Sequence, residues 1–200
     1  MTRIAVLVSG SGTNLQAIID AVDTGVLPEV EIAIVASNRR EAHGLKRAIQ
    51  AGIPVTYFPL LPYTKAGRPR ADYDRDLAHI LSSFEVKWIV MAGWMHIFTD
   101  AFIRHYPERI LNLHPALPGT FPGTDAIARA FDAYQHGEID HTGVMVHIVP
   151  NEAVDAGPVV AQVEVPILPS DTQASLEARV HATEHRLLVQ ALRQELCGSR

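Results

Sequence analysis

Short runs rich in β-branched residues alternate along this chain with stretches whose apolar residues recur every three or four positions. Because parallel strands must be joined by long crossovers, usually helices, this alternation predicts an α/β fold: a mostly parallel, twisted sheet with helices on both faces. The predicted strands of this part are 4–8, 30–35, 54–57, 88–91 and 110–113, and the predicted helices are 14–22, 42–51, 71–83 and 125–137.

The pattern changes in the last third of the chain. Residues 141–149 and 159–167 are apolar or alternate, with Gly157-Pro158 between them, which predicts two late antiparallel strands. Ser170 and Gln173 have the spacing of a capping box, so a closing helix is predicted to begin there and to run to about residue 196.

Neither a repeat nor a low-complexity tract divides the chain, and we expect a single domain over 1–200. Prolines and glycines break the periodicity at 60–70, so this segment is the one connection predicted to be mobile.

Composition narrows the classes of partner and compartment. The net charge is −5 and the sequence has no basic run, so we expect no nucleic-acid partner. No stretch reaches the roughly 18 apolar residues of a membrane span, and the N-terminal apolar run is too short for a signal peptide. The single cysteine, Cys197, allows no internal disulfide, which favours a cytoplasmic location. Histidine spacing matches no zinc motif, so no metal is expected.

A glycine-rich segment, 8–15, leaves the first predicted strand and opens the first predicted helix. Small residues let a phosphate approach the backbone amides, and the helix N-terminus adds partial positive charge. The segment therefore predicts a phosphate cradle, although a tight turn without a ligand has the same pattern. It is not a dinucleotide fingerprint, because Leu15 stands where the third glycine would be.

The fifth predicted strand ends with Asn112-Leu113-His114-Pro115. Side chains two positions apart point to the same face of a strand, so Asn112 and His114 should lie together at its carboxyl end, where open α/β sheets bind ligands. An imidazole moves protons near neutral pH, and an amide donates to an oxyanion. A histidine with a purely structural role is the alternative.

The carboxylate of Asp155 is a candidate partner for that histidine. It stands in Asp155-Ala156-Gly157-Pro158, just before a predicted strand. A carboxylate next to His114 would raise the pKa of the imidazole and favour its protonated form. The alternative is an aspartate that only forms a turn.

Several segments carry a family resemblance through their order and spacing. They are 9–18, 37–38, 92–95, 111–115, 121–123, 155–159 and 184–185. Together they resemble the phosphoribosylglycinamide formyltransferases, the folate-dependent enzymes of purine biosynthesis. The resemblance covers nearly the whole chain and implies a Rossmann-like formyltransferase fold.

The resemblance implies transfer of the formyl group from 10-formyltetrahydrofolate to the amine of glycinamide ribonucleotide, without a metal. It implies a catalytic trio of Asn112, His114 and Asp155. The substrate-binding residues it implies are Gly12, Thr13, Asn14 and Glu184. The cofactor-binding residues it implies are Arg70, Met95, His96, Ile97, Phe98 and Asn112.

Three segments depart from the pattern of the relatives. Many of them carry Met-Arg-Ile-Leu at 95–98, so a contact from His96 to the folate glutamate tail is expected to be weaker or pH dependent. The loop at 117–123 differs in its order of residues, and the stretch 147–155 looks one residue longer.

The acceptor of the formyl group is less constrained than folate use. Methionyl-tRNA formyltransferases and formyltetrahydrofolate hydrolases resemble the same domain with an added one, for which 200 residues leave no room. A non-catalytic nucleotide-binding module is the alternative from another class. The expected partners are small molecules, and the expected state is a monomer or homodimer.

Overall fold

The computed structural model describes residues 1–198, and the strands found there form one sheet in the order β3-β2-β1-β4-β5-β6-β7. The strands are β1 (Thr2–Val8), β2 (Val30–Ser37), β3 (Val55–Tyr57), β4 (Trp88–Met91), β5 (Ile110–His114), β6 (His141–Ile148) and β7 (Val159–Pro166). The helices are α1 (Thr13–Asp23), α2 (His43–Gln50), α3 (Leu61–Lys65), α4 (Arg70–Ser82), α5 (Asp100–Ile103), α6 (Ala126–Gln135) and α7 (Gln173–Cys197).

Strands β1 to β5 pair with one another in parallel, whereas β6 pairs antiparallel with both β5 and β7. The predicted mostly parallel sheet with late antiparallel strands is therefore confirmed. The strand order reverses beside β1, because β2 and β3 lie on one side of it and β4 and β5 on the other. At such a reversal the connections leave in opposite directions, which opens a crevice at the carboxyl ends of the strands.

The sheet is covered on both faces, as the two-residue period of β1 shows. Ile4, Val6 and Val8 belong to an apolar cluster that includes residues of α1, α2, α6 and α7. The intervening Ala5 and Leu7 belong to a second cluster that includes residues of α4. Because β1 is buried on both faces, its sequence is a continuous apolar run rather than an alternating one.

The predicted start of the closing helix is wrong by two residues. Thr172, in extended conformation, is the N-cap of α7, and it exchanges hydrogen bonds with Ser175 in a capping box. The helix cannot begin at Ser170, because the Asp171 carboxylate accepts from the amide of Leu168 at 2.8 Å and closes a turn there.

The segment 60–70, predicted to be mobile, contains regular secondary structure. Residues 61–65 form α3, and Arg70 already belongs to α4. The Tyr63 ring packs edge-on against Tyr73 with centroids 5.3 Å apart, and its hydroxyl donates to Asp76 at 2.7 Å. These contacts order a segment in which the prolines and glycines by themselves do not predict a helix. The short helix α5 was not predicted.

Candidate active site

A cavity of about 550 Å³ opens at the carboxyl edge of the sheet, beside the reversal of strand order. Its walls come from the segment after β4, the ends of β5 and β6, and the loops 123–126 and 151–155. This volume is typical of sites for small organic ligands.

The predicted pair on β5 lines this cavity. Asn112 and His114 lie two residues apart near the end of the strand, and both contribute to the cavity wall. His147 of β6 stands opposite Asn112 in the antiparallel register. The structure therefore brings Asn112 and His114 together, as their spacing predicted.

Asp155 joins this pair from the loop between β6 and β7. Its Oδ1 accepts from Asn112 Nδ2 at 3.0 Å, and its Oδ2 lies 3.3 Å from His114 Nδ1. The backbone amide of Gly123 donates to Oδ2 at 2.8 Å. Asp155 adopts a positive φ of 51°, a costly conformation for a residue other than glycine. One carboxylate thus ties three separate segments to the cavity.

The His114 ring is 4% exposed, and its two nitrogens face two acceptors. Nε2 lies 3.1 Å from the carbonyl of Phe121, and Nδ1 faces Asp155. Burial lowers the pKa of His114, and the Asp155 carboxylate and the Phe121 carbonyl offset that effect only in part. Asp155 therefore raises the pKa of His114, as expected, but burial lowers it more, so the protonated form is not favoured at neutral pH.

The Asp155 carboxyl is ionised at neutral pH. Burial alone would raise its pKa, but hydrogen bonds to the carboxylate, among them the one from the Gly123 amide, outweigh burial. Its pKa therefore lies below the ordinary value, and the cavity holds a negative charge beside an imidazole that burial keeps neutral.

His147 belongs to this cluster, although the sequence reasoning did not select it. It is 1% exposed, and its Nε2 lies 3.1 Å from Asn112 Nδ2. Its Nδ1 lies 2.9 Å from the carbonyl of Ile148, so this nitrogen carries a proton. The alternation of β6 shows in the sequence which face His147 lies on. The register that sets it opposite Asn112 does not, because strand pairing is not a local pattern.

The loop before α6 is held against His114 by Arg129. The guanidinium donates to the carbonyls of Phe121 and Pro122 at 2.7 and 2.6 Å. Phe121 and Asp125 both have positive φ, 45° and 56°. The contact of Phe121 with the imidazole therefore depends on a strained loop that a side chain outside it stabilises.

We expect Arg129→Ala to lower kcat about tenfold, because the strained loop loses the donor that keeps it in place beside His114. Steady-state kinetics and limited proteolysis within 117–125 measure the effect. Arg104→Ala is the matched control, since Arg104 is an exposed arginine that forms an ion pair with Asp100. Equal proteolysis rates and equal kcat for both variants would contradict a bracing role of Arg129.

The segment after β4 forms the apolar side of the cavity. Met95 and Ile97 are 54% and 55% exposed at its rim. Phe98 also borders it, but its ring is buried against Phe102 with centroids 3.7 Å apart. His96 turns towards Asn38, with Nε2 and the amide nitrogen 2.8 Å apart. Burial and Arg70 lower the pKa of His96, so it presents no charge at neutral pH.

Arg70 braces this segment from outside the cavity wall. Its Nη2 donates to the carbonyl of Ile97 at 2.7 Å, and its Nε pairs with the buried Asp74 at 2.9 Å. Asp74 in turn accepts from the amide and hydroxyl of Thr99. A contact of Arg70 with a folate tail stays a prediction.

The glycine-rich loop and Glu184 form a second group of predicted residues at the same edge. Gly12 is the N-cap of α1 with φ +70°, and a side chain there would collide with the backbone of Gly44. Asn14 Nδ2 donates to Glu184 on α7 at 3.2 Å. The amide of Met95 donates to Ser9 Oγ at 3.0 Å, which joins this loop to the cavity rim.

Together these features define a class: a doubly wound α/β enzyme that binds a small molecule at the switch point of its sheet. A sequence profile of the formyl transferase family matches residues 2–192. The chain therefore belongs to the formyl transferase family and, within it, to the phosphoribosylglycinamide formyltransferases, which confirms the resemblance and the expectation of an enzyme.

Individual relatives agree in sequence and in structure. The phosphoribosylglycinamide formyltransferase of Schizosaccharomyces pombe is 49% identical over 97% of this chain and 97% of the relative. That of Escherichia coli is 39% identical over 92% of this chain and 82% of the relative. The crystal structure of phosphoribosylglycinamide formyltransferase from Bacillus halodurans superposes with a TM-score of 0.91 and 32% identity, over 100% of this chain and 97% of that one.

Within residues 1–198, no helix combines the length and apolar content that crossing a membrane requires.

Proposed function

We propose that this enzyme transfers the formyl group of 10-formyltetrahydrofolate to the amine of glycinamide ribonucleotide in purine biosynthesis. The observation that carries the proposal is the convergence of Asn112, His114 and Asp155 on one wall of the cavity. A relative supports the same activity: the Schizosaccharomyces pombe protein that is 49% identical over almost the whole chain is named phosphoribosylglycinamide formyltransferase.

The two substrates are assigned to the two groups of residues at the sheet edge. The folate fits the cavity of about 550 Å³, whose rim carries apolar side chains and one wall of which carries the polar trio. The phosphate of the amine substrate fits the glycine-rich loop at the N-terminus of α1, with its ribose towards Glu184. The hydrogen bond between Met95 and Ser9 keeps the two sites in register.

In the proposed reaction the amine nitrogen attacks the formyl carbon, and the bond from that carbon to N10 of the folate breaks. The amine loses one proton and N10 gains one. His114, neutral at rest because of its burial, accepts the first proton and supplies the second as general acid. Asp155 stabilises the imidazolium that exists between the two transfers.

Asn112 supports the developing oxyanion in this proposal. Its amide nitrogen lies near both Asp155 Oδ1 and His147 Nε2 in the unliganded chain. We assign one N–H to holding Asp155 throughout, and the other to the formyl oxygen once the folate is bound, in place of His147.

Several expectations from the sequence stay predictions. They are the cytoplasmic location, the monomeric or dimeric state, a single domain over 1–200, the absence of a metal from the reaction, and the absence of a nucleic-acid partner. Among residues 1–198, no group of three or more histidine, cysteine, aspartate or glutamate side chains is arranged to hold a metal ion.

The direct test incubates the purified chain with 10-formyltetrahydrofolate and glycinamide ribonucleotide and follows both products. Formation of tetrahydrofolate and formylated amine in equal amounts is the expected result. Two further reactions, one without an amine and one with methionyl-tRNA, measure hydrolysis and the alternative acceptor. Equal rates without the ribonucleotide, or a preference for the tRNA, would reject the proposed acceptor.

Gly10→Asp tests the phosphate cradle. A Cβ added at Gly10 meets no atom within 4 Å, so this position has room for a side chain that brings a negative charge to the loop. We expect the KM for the ribonucleotide to rise at least about tenfold, with the KM for the folate unchanged. Gly10→Asn is the matched neutral control. Gly12, the position that the sequence singled out, is unsuitable because its neighbour Gly44 leaves no room. An unchanged KM in Gly10→Asp would place the phosphate elsewhere.

A further inference from the structure

Glu184 places a negative charge beside the loop that we assign to a phosphate ester. The residue is 5% exposed and lies on α7, where it accepts a hydrogen bond from Asn14 on α1. A buried carboxylate requires compensation of its charge, and one close to a bound phosphate also repels the ligand. A cation beside Glu184 would meet both requirements.

His181 supplies that cation one turn earlier on α7. Its Nδ1 lies 2.7 Å from Glu184 Oε2, and its side chain is 51% exposed. Asn14 Nδ2 donates to the same oxygen at 3.2 Å, and none of the side-chain hydrogen bonds within residues 1–198 reaches the other oxygen, Oε1. The Oδ1 of Asn14 is buried and has no hydrogen-bond partner. Two acceptors, Oε1 and Oδ1, are thus left for hydroxyl groups of a ligand.

We infer that His181 is a positioning residue for the phosphorylated amine: its protonated ring fixes Glu184 by one oxygen and offsets the repulsion between Glu184 and the phosphate. The inference rests on the proposed function. Affinity for the ribonucleotide is therefore high while His181 is protonated, and it falls as the pH rises and the ring loses its charge.

The groups around His181 favour its charged form. Its hydrogen bond with Glu184 raises the pKa, burial opposes this, and the charges of Glu184 and Glu177 add to the rise. His185, also on α7, has its pKa lowered by burial, so it is already neutral where His181 changes charge. From the facing helix α1 the group that reaches the pair is the neutral Asn14. Within residues 1–198, no ion pair links His181 to β6, β7 or α6.

The sign of the effect follows from that raised pKa. The charge on His181 is present below the pKa and is lost above it. An exposed or half-exposed charge interaction corresponds to a change of at most about fivefold in a binding constant. We therefore expect the KM for the ribonucleotide to rise about three- to fivefold between about pH 6 and pH 9 from this group.

The experiment compares the wild type with His181→Gln and His181→Lys over that pH range. Glutamine keeps a hydrogen-bond donor without a charge, and lysine keeps the charge throughout. Dividing each variant's KM by that of the wild type at the same pH removes the titration of the substrate's own phosphate and amine. We expect the ratio for glutamine to fall towards one as the pH rises, and that for lysine to fall below one at high pH.

Two controls and two distinct outcomes separate the possible failures. His136→Gln removes an exposed histidine immediately after α6 that also has a raised pKa, and it should leave the KM ratio at one throughout. The KM for the folate should not change in any variant. A glutamine variant whose KM ratio does not vary with pH would overturn the role of His181. Absence of formyl transfer by the wild type would instead overturn the proposed function.

Discussion

Replacement of His114 by alanine is expected to lower kcat for formyl transfer by about 10³-fold, with little change in either KM. The imidazole is the one group in the proposed mechanism that both accepts and returns a proton, and such groups contribute about 10²- to 10⁴-fold. Its removal leaves Asp155 without the imidazolium that it would stabilise. The measurement is steady-state kinetics, with circular dichroism to establish that the variant is folded.

Two further variants make the loss at His114 interpretable. His136→Ala removes an exposed histidine and should retain full activity. His114→Asn keeps a polar side chain without a proton-transfer group, and it should be as inactive as the alanine variant. Full activity in a folded His114→Ala would sink the mechanism and leave His114 a structural role.

Conversion of Asp155 to asparagine is expected to lower kcat about 10²-fold and to shift the pH profile towards acid. The carboxylate is a charge that raises the pKa of His114 against the effect of burial. Without it the pKa of His114 falls further, so the neutral, proton-accepting form persists to lower pH. The imidazolium formed during transfer is also less stable, which lowers kcat at every pH.

The control for Asp155 is Asp132→Asn, which neutralises an exposed carboxylate on α6. Its pH profile should match that of the wild type. Because Asp155 also accepts from Asn112 and Gly123, a loss of activity alone could reflect a loosened cavity. The acid shift separates the two explanations: reduced activity with an unmoved pH profile would assign Asp155 a purely structural role.

His96 illustrates how burial changes the charge state that a side chain offers to a ligand. The sequence places it where many relatives have arginine, and a weaker or pH-dependent contact to the folate tail was the expectation. The half-buried ring borders the cavity and contacts Asn38, and its pKa is lowered by burial. A neutral imidazole held against Asn38 leaves Met95 and Ile97 as the more exposed side chains at that part of the rim.

Local patterns were sufficient for the framework of the fold. The alternation of strands and helices predicted the parallel part of the sheet, and Gly157-Pro158 marked the turn before β7. Short helices that are ordered by tertiary contacts were not predicted. In α3, for example, Tyr63 packs against Tyr73 of α4. The observed start of α7 lies later than the predicted one, because Asp171 closes a turn that the capping pattern does not describe.

The sequence by itself determined the features that depend on patterns within a few neighbouring residues. The two-residue period of β5 sets Asn112 and His114 on one face, and the glycines after β1 leave room at a helix N-terminus. Only the tertiary structure decided that Asp155 and His147 meet them, and that His114 is neutral at rest. The reason is physical: periodicity is a property of neighbouring residues, whereas desolvation and charge act through space between segments that only folding brings together.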